Sequence, residues 1–188
     1  MARPRSDDKR IALLDAAIRV FVAQGLSAPT ALIAKEAGVA NGTLFTYFNT
    51  KAELIQALYL ELKSQMAFAS LRGLSEEEET REQFLHVWSN WMHWATSNPE
   101  KRRVLALLMV SDDVTPEVRN EADKFMWQIG VLLQQVIAQG PLRNVPMAFV
   151  SEILTSLANT TMDFMIGDPE NAEEHCRTGF DALWRVMA

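Results

Sequence analysis

The chain has 188 residues, of which 48% are hydrophobic, so it can bury a substantial core, and its formal net charge is −6. Cys176 is its only cysteine, which excludes an intrachain disulfide and a metal site built from several cysteines. Because no run of about 18 apolar residues and no signal-peptide pattern occurs, we expect a cytoplasmic protein that does not contact a membrane.

The charge is distributed unevenly along the chain. Residues 1–51 contain seven basic and four acidic side chains, whereas the remainder contains eleven basic and twenty acidic side chains. A positive N-terminal segment can attract a polyanion, and a negative remainder discourages non-specific binding elsewhere. The charge pattern therefore permits nucleic-acid binding at the N-terminal end.

The N-terminal segment predicts three short helices. Ser6 is the expected cap of the first helix, and Gly25 is its expected end. A second helix follows, and Gly38 ends it with a left-handed turn. Asn41 or Thr43 is the expected cap of the third helix, whose Leu44 and Phe48 are expected to pack inward at i, i+4 spacing. The second and third helices form a helix-turn-helix, although a plain helical hairpin uses the same glycine turn.

The outward face of the third helix favours DNA binding over the plain hairpin. Its side chains at Asn41, Thr43, Thr46 and Tyr47 form hydrogen bonds and carry no negative charge, and Lys51 follows one turn later. Such a face suits phosphates and base edges in the major groove.

The segment I-A-K-E-A-G-V-A-N-G-T-L-F-T-Y-F-N-T-K-A-E-L resembles the signature of the TetR family of bacterial transcriptional regulators. The resemblance implies a DNA-binding head and contacts to bases or phosphates at Asn41, Gly42, Thr43, Phe45, Thr46, Tyr47 and Lys51. Ala28 and Pro29 replace the Ser or Thr pair that often begins the first motif helix. Ser27 as a cap or Pro29 in the first turn must then start that helix, and Thr30 is the remaining candidate for a phosphate contact.

The rest of the chain also predicts helices. Thr50 is the expected cap of a helix over 51–72, and Ser75 with Glu76–Glu79 is expected to begin a helix that continues to residue 97. Pro99 and Pro116 suit first helical positions. The further predicted helices span 99–110, 116–138, 146–166 and 170–187. Because no sustained β-alternation occurs, we predict an all-α, TetR-like fold with a DNA-binding domain over 1–50 and a ligand-binding and dimerisation domain over 51–188.

Aromatic and methionine residues concentrate in the predicted body and suggest a pocket for a hydrophobic small-molecule effector. All five tryptophans lie beyond residue 87, and eight of nine methionines lie beyond residue 61. Such surfaces repack around apolar ligands, although an aromatic stripe at helical spacing is more often simply core. The candidate effector-binding residues are Tyr59, Lys63, Met66, Trp88 and Trp91.

The body also resembles the RamR-type group of TetR-family repressors, through L-Y-L-E-L-K, T-T-M-D-F and G-F-D-A-L-W-R. This resemblance implies a sensor of toxic and bile-type compounds that controls multidrug efflux. That group adds an aromatic residue and a carboxylate to the pocket from the helix with T-T-M-D-F. Here Leu154 and Ser151 occupy those positions, so the ligand preference is expected to differ.

Two apolar stripes near the end of the chain predict a homodimer. They are Phe149, Ile153, Leu157, Thr161 and Phe164, and Cys176, Phe180, Leu183, Trp184 and Met187. Two such helix pairs around a two-fold axis would form a four-helix bundle, as the TetR resemblance also implies. A dimer would match a palindromic operator. The alternative is that both stripes pack only on their own chain.

No catalytic motif stands out. The chain lacks G-x-S-x-G, H-E-x-x-H and a phosphate-binding loop, and His86 and His93 are about 10.5 Å apart along a helix, too far to share one metal ion. We therefore expect no enzyme, cofactor or metal. The predicted function is a ligand-responsive repressor of efflux or stress-response genes that leaves its operator when ligand binds. The alternative is a DNA-binding protein of the same fold that a protein partner controls.

Overall fold

The computed structural model describes the backbone of residues 5–188 and the side chains of residues 7–188. Its described residues form ten α-helices and no strand, which confirms the predicted all-α class. The helices are α1 (Arg5–Gln24), α2 (Thr30–Glu36), α3 (Asn41–Tyr47), α4 (Lys51–Leu71), α5 (Thr80–Ser97), α6 (Pro99–Met109), α7 (Pro116–Phe125), α8 (Trp127–Ile137), α9 (Met147–Gly167) and α10 (Ala172–Met187). A short 3-10 turn, Pro169–Asn171, precedes α10. No helix in the described part of the chain is long and apolar enough to cross a membrane.

The chain divides into two compact units, the first formed by residues up to 64 and by 99–123, the second by 65–98 and 124–188. The first unit contains the predicted DNA-binding domain together with the beginning of α4, with α6 and with most of α7. The domain division at residues 50 and 51 stays a prediction.

The first unit is built around α1, which packs against α2 and α6. Its apolar side chains at Leu13, Ala17 and Phe21 are fully buried. Gly25 ends the helix as predicted, with a φ of +76° and a hydrogen bond from its N–H to the Phe21 carbonyl at 2.9 Å. The left-handed conformation suits glycine because it has no Cβ, and the bond satisfies a carbonyl that the helix end leaves open.

The core of the second unit lies among α5, α8, α9 and α10. Helix α10 approaches α9 closely at Gly179, where an added Cβ would overlap Oγ1 of Thr161 and come within 2.9 Å of its Cγ2. The small residue thus allows α9 and α10 to pack closely, which buries Phe180 and Leu183 completely.

Three predicted helix boundaries were wrong. The predicted helix over 116–138 is two helices, because the chain turns at Met126, whose φ of −91° and ψ of 0° lie outside helical geometry. Glu76–Glu79 precede α5 rather than form its first turn, and Glu79 is the flanking residue. Helix α1 begins at Arg5, before the predicted cap Ser6.

Candidate DNA-binding and effector sites

The turn between α2 and α3 explains how the two short helices are held at an angle. Gly38 has a φ of +70°, and its N–H bonds to the Lys35 carbonyl at 3.1 Å. The N–H of Val39 bonds to the Ala34 carbonyl at 2.9 Å. These two bonds form a Schellman motif, which closes a helix and turns the chain sharply. The predicted helix-turn-helix is thereby confirmed in its local geometry.

The inner face of α3 is anchored and its outer face is open. Leu44 and Phe48 are 0% and 2% exposed, as the spacing predicted, and the Arg10 guanidinium lies 5.5 Å from the centre of the Phe48 ring. Six of the predicted DNA contacts lie on α3, whereas Thr30 begins α2 and Lys51 begins α4. Asn41, Gly42, Phe45 and Thr46 are exposed, while Thr30, Thr43, Tyr47 and Lys51 are half-buried. None of these side chains is acidic, so the surface that α3 presents has no charge that repels phosphate.

The predicted side-chain caps of the motif helices were wrong. Pro29 and Ala40 flank the starts of α2 and α3, and neither helix has a capping hydrogen bond from a side chain. Asn41 and Thr43 lie inside α3 instead, and Ser27 lies two residues before the flanking position. The hydroxyl of Thr46 donates to the Gly42 carbonyl at 3.3 Å within the helix. The N–H groups at both helix starts thus have no side-chain acceptor, and those of Leu32 and Thr43 bond to the backbone carbonyls of Pro29 and Ala40.

Two residues stabilise the connection between α3 and α4. They are Thr50, the predicted cap, and Glu53, whose role the sequence analysis did not identify. The hydroxyl of Thr50 accepts a hydrogen bond from the Glu53 N–H at 3.0 Å. The Glu53 carboxylate accepts bonds from the backbone N–H and the side-chain amide of Asn49 at 2.8 Å and 2.9 Å. The Thr-x-x-Glu spacing of a capping box is the sequence signal for this arrangement. The short connection that follows α3 is therefore tied to the first turn of α4 by hydrogen bonds.

Two of the predicted effector-binding residues belong to the first unit. Tyr59 is 5% exposed and Lys63, one turn later on α4, is half-buried. Burial raises the pKa of the Tyr59 phenol, and the positive charge of Arg119 opposes that effect. Burial lowers the pKa of Lys63, and the negative charge of Asp123 opposes the change. Both shifts have the sign expected for ionisable groups removed from water.

The structure adds Arg119 and Asp123 of α7 to this neighbourhood. The guanidinium of Arg119 lies 5.9 Å from the centre of the Tyr59 ring and donates to the carbonyls of Met109 and Ser111 at 2.8 Å and 3.1 Å. Their spacing of four residues places both side chains on one face of α7, which is visible in the sequence. Nothing in the sequence indicates that this face meets α4, about sixty residues earlier.

The other predicted effector-binding residues belong to the second unit. Trp88 is 1% exposed, its indole N–H donates to the Cys176 carbonyl at 3.0 Å, and its ring meets that of Trp91 edge-on, with 6.3 Å between ring centres. Trp91 and Leu154 are half-buried and pack against the same core. Met66 is buried, and Ser151 is half-buried. Trp88 is thus a core residue with a satisfied donor, and its role in ligand binding stays a prediction.

The predicted dimerisation residues fall into two groups. Phe149 and Phe164 are 59% and 60% exposed on α9, and Ile153 and Leu157 are half-buried. By contrast, the other predicted residues are covered within their own unit, as the alternative expected: Thr161, Cys176, Phe180, Leu183 and Met187. Trp184 is half-buried. A partner in contact with α9 would therefore meet Phe149, Ile153 and Phe164, whereas the buried stripe of α10 offers no surface.

Comparisons with known proteins agree with this geometry. The family model for bacterial regulatory proteins of the TetR family matches residues 13–58, the span from α1 into α4. A crystal structure of a TetR-family transcription regulator from Shewanella sp. PV-4 is 30% identical, covers 96% of this chain and 98% of its own, and superposes with a TM-score of 0.86.

Two more distant similarities concern proteins with other named properties. The nucleoid occlusion factor SlmA of Haemophilus influenzae is 24% identical over 162 residues, which are 84% of this chain and 73% of that protein. The regulator FadR from Bacillus subtilis, crystallised with stearoyl-CoA, shares the fold with a TM-score of 0.71 at 17% identity, over 95% of this chain and 99% of its own. These comparisons confirm the predicted family. They do not confirm the resemblance to the RamR-type group, which stays a prediction.

Proposed function

This chain belongs to the TetR family of bacterial transcriptional regulators, and from that premise we propose that it is a ligand-responsive repressor. It binds a double-stranded, palindromic operator as a homodimer. A hydrophobic or amphipathic effector binds to its helical body and releases it from the operator. The regulated genes serve efflux or stress response.

The observation that carries the DNA-binding assignment is the outer face of α3. Leu44 and Phe48 fix the helix from behind, so that Asn41, Thr46 and Tyr47 are presented outward without an acidic neighbour on the helix. Hydroxyl and amide groups at a helix surface suit base edges, and Lys51 at the start of α4 suits a phosphate. In this proposal Lys51 positions the protein by contacting a phosphate, whereas Thr46 and Asn41 read the base sequence.

The effector response is supported by the connection of α3 to α4. Because Asn49 and Thr50, which closely follow α3, are hydrogen-bonded to Glu53 of α4, a tilt of α4 would carry the reading helix with it. Tyr59 and Lys63 lie further along the same helix, so an effector there can bias its tilt. In a dimer, such a tilt changes the distance between two reading helices, and a preference of about 1–3 kcal/mol for the tilted state is a typical coupling. The complex of FadR with stearoyl-CoA supports the idea that this fold accommodates an amphipathic effector.

The test begins with a mobility-shift titration on DNA upstream of the protein's own gene. We expect a shift that is specific for this DNA, and we expect release by at least one compound in a panel of hydrophobic cations and bile acids. Thermal unfolding with the same panel should show stabilisation by the releasing compound. If no compound stabilises the protein or releases DNA, the effector assignment is wrong while the DNA-binding assignment stands.

A second candidate is a DNA-binding protein of this fold without a small-molecule effector, controlled by a protein partner. The similarity to SlmA, which is named as a nucleoid occlusion factor, favours it, as does the burial of Trp88 with its N–H already bonded. A DNA shift without any response to the panel would support this candidate over the repressor.

A further inference from the structure

The positive charge of Lys63 is only partly balanced by negative charge from neighbouring side chains. Its side chain is half-buried on α4, and its ammonium has no hydrogen bond or ion pair with any residue that the structure describes. Burial acts on its pKa more strongly than the one nearby carboxylate, Asp123, whose charge favours the protonated form. Removing a charge from water without a partner costs free energy, so such a group is poised to bind a counter-ion.

Lys63 lies one helical turn beyond Tyr59, and a second cation lies beside the Tyr59 ring. Arg119 adds a second cation beside the Tyr59 ring, and two of its donors are already used for carbonyl groups, which holds its guanidinium in place. Among the residues that the structure describes, Asp123 is the acid whose charge acts on both Lys63 and Tyr59. Two cations against one carboxylate, next to an aromatic ring, suit the headgroup of an amphipathic anion.

Building on the effector response proposed above, we propose that the effector is an amphipathic anion whose negative headgroup binds Lys63, with Arg119 contributing charge and Tyr59 contributing apolar contact. An anion supplies the partner that the Lys63 ammonium lacks. A neutral amphiphile of equal length supplies none, and an amphiphilic cation adds repulsion. The headgroup charge therefore decides the affinity, and the apolar tail contributes area to all three classes.

The experiment compares three ten-carbon probes that differ in the charge of the headgroup: decanoate, decanol and decyltrimethylammonium. Affinity is measured by calorimetry below the micelle concentration, and operator release by fluorescence anisotropy. We expect wild-type protein to bind decanoate at least about ten-fold more tightly than either other probe, because a charge-assisted bond is worth about a factor of ten. Only decanoate should release the operator at matched concentration.

Lys63→Met removes the charge and retains most of the side-chain length, and we expect it to lose the preference for decanoate while it binds decanol as the wild type does. Lys63→Arg should keep the preference. Lys124→Met is the matched control, because it makes the same change in net charge at an exposed position of α7. Circular dichroism and thermal unfolding establish that the three variants are folded, and operator affinity without probe should be unchanged in Lys124→Met.

The outcomes separate the two proposals. If decanol or decyltrimethylammonium binds wild-type protein as tightly as decanoate and releases the operator, an effector response exists but its anion specificity is wrong. Equal loss of decanoate binding in Lys63→Met and Lys124→Met would also overturn the role of Lys63. If none of the probes and no compound of the panel above binds, the proposed effector response itself fails, and this inference fails with it. Even if Lys63→Met does not fold, the comparison among probes on wild-type protein tests the preference for an anionic headgroup.

Discussion

At the scale of single residues, Lys51 at the start of α4 is expected to position the protein on DNA, whereas side chains of α3 are expected to read the base sequence. We expect Lys51→Ala to weaken binding on all DNA sequences and to reduce the slope of log affinity against log salt by about 1, since one phosphate contact is lost. Titrations at several salt concentrations on operator and unrelated DNA measure both effects. An unchanged salt slope would argue against a phosphate contact.

Thr46 is expected to behave differently from Lys51. Its side chain is exposed in the last turn of α3, so Thr46→Ala should change the preference among operator variants by about 1–3 kcal/mol at one base pair and leave non-specific binding intact. Competition with a set of single-base operator variants gives the measurement. If neither the affinity nor the preference changes, α3 does not read bases through Thr46.

Gly179 illustrates a residue whose size matters for packing. Gly179→Ala should destabilise the protein by about 1–3 kcal/mol, because the new methyl group overlaps Thr161. Gly130→Ala, inside α8 with open space around it, is the matched control and should stabilise the protein by about 0.5–1 kcal/mol. Urea unfolding measures the change in the free energy of unfolding for each variant, and this change should have opposite signs at the two sites.

Asp168 gives an expectation for the pH dependence of stability. Hydrogen bonds from Asn171 and then from His175 lower the pKa of its carboxyl group. Because the folded-state pKa lies below the unfolded value of about 3.9, the contribution is fully present above that pH and is lost as the pH falls through the lower folded-state pKa. Asp168→Asn should therefore melt at a lower temperature than wild type near neutral pH, and the gap should close in acid. A gap that is constant between neutral pH and pH about 2 would contradict this reasoning.

At the scale of helices, the structure confirms the predicted cap Thr50 and shows no side-chain cap at the starts of α2 and α3. Thr50→Ala should destabilise the protein by about 0.5–2 kcal/mol, since it removes the acceptor for the Glu53 N–H at the start of α4. Ser27→Ala is the control, because Ser27 was predicted as a cap but Pro29 flanks α2 without any side-chain bond. Its effect should stay within about 0.5 kcal/mol, as for other surface substitutions. Equal losses in the two variants would mean that Thr50 acts through something other than its capping bond.

Helix boundaries were predictable where a single residue type dictates the backbone. Pro99 and Pro116 begin helices because proline lacks the N–H that a first turn leaves unpaired. Gly25 and Gly38 end helices because only glycine adopts a positive φ without strain. The break at Met126 has no such local signal, and apolar periodicity continues across it, so the prediction of one long helix there was wrong.

At the scale of the whole molecule, the exposed side of α9 makes the dimer prediction specific. Phe149→Glu or Phe164→Glu should convert a dimer to a monomer at micromolar concentration, because a buried unpaired charge opposes association. Trp127→Glu on α8, where the tryptophan is 71% exposed, is the matched aromatic-to-acid control and should remain dimeric. Sedimentation velocity measures the state of each variant. A wild-type monomer would overturn the homodimer proposal.

The monomerised variants should also lose operator affinity, since one reading helix contacts only half of a palindromic site. The loss should be much larger on a full palindrome than on a single half-site. Equal affinities for full and half sites in the wild-type protein would separate DNA binding from dimerisation.

The sequence by itself determined the features that arise within one turn or one helix. The helix-turn-helix, the anchoring of Leu44 and Phe48 and the cap at Thr50 all depend on residues within about twenty positions of each other, where spacing and backbone preference suffice. The tertiary structure decided which apolar stripes are covered and which charges meet. It buried Phe180 and Leu183 of α10 and left Phe149 exposed, although both stripes have the same helical spacing. It also placed Arg119 and Asp123 near Tyr59 and Lys63. Periodicity shows that a face is apolar or charged, but only the packing of distant helices determines what that face contacts.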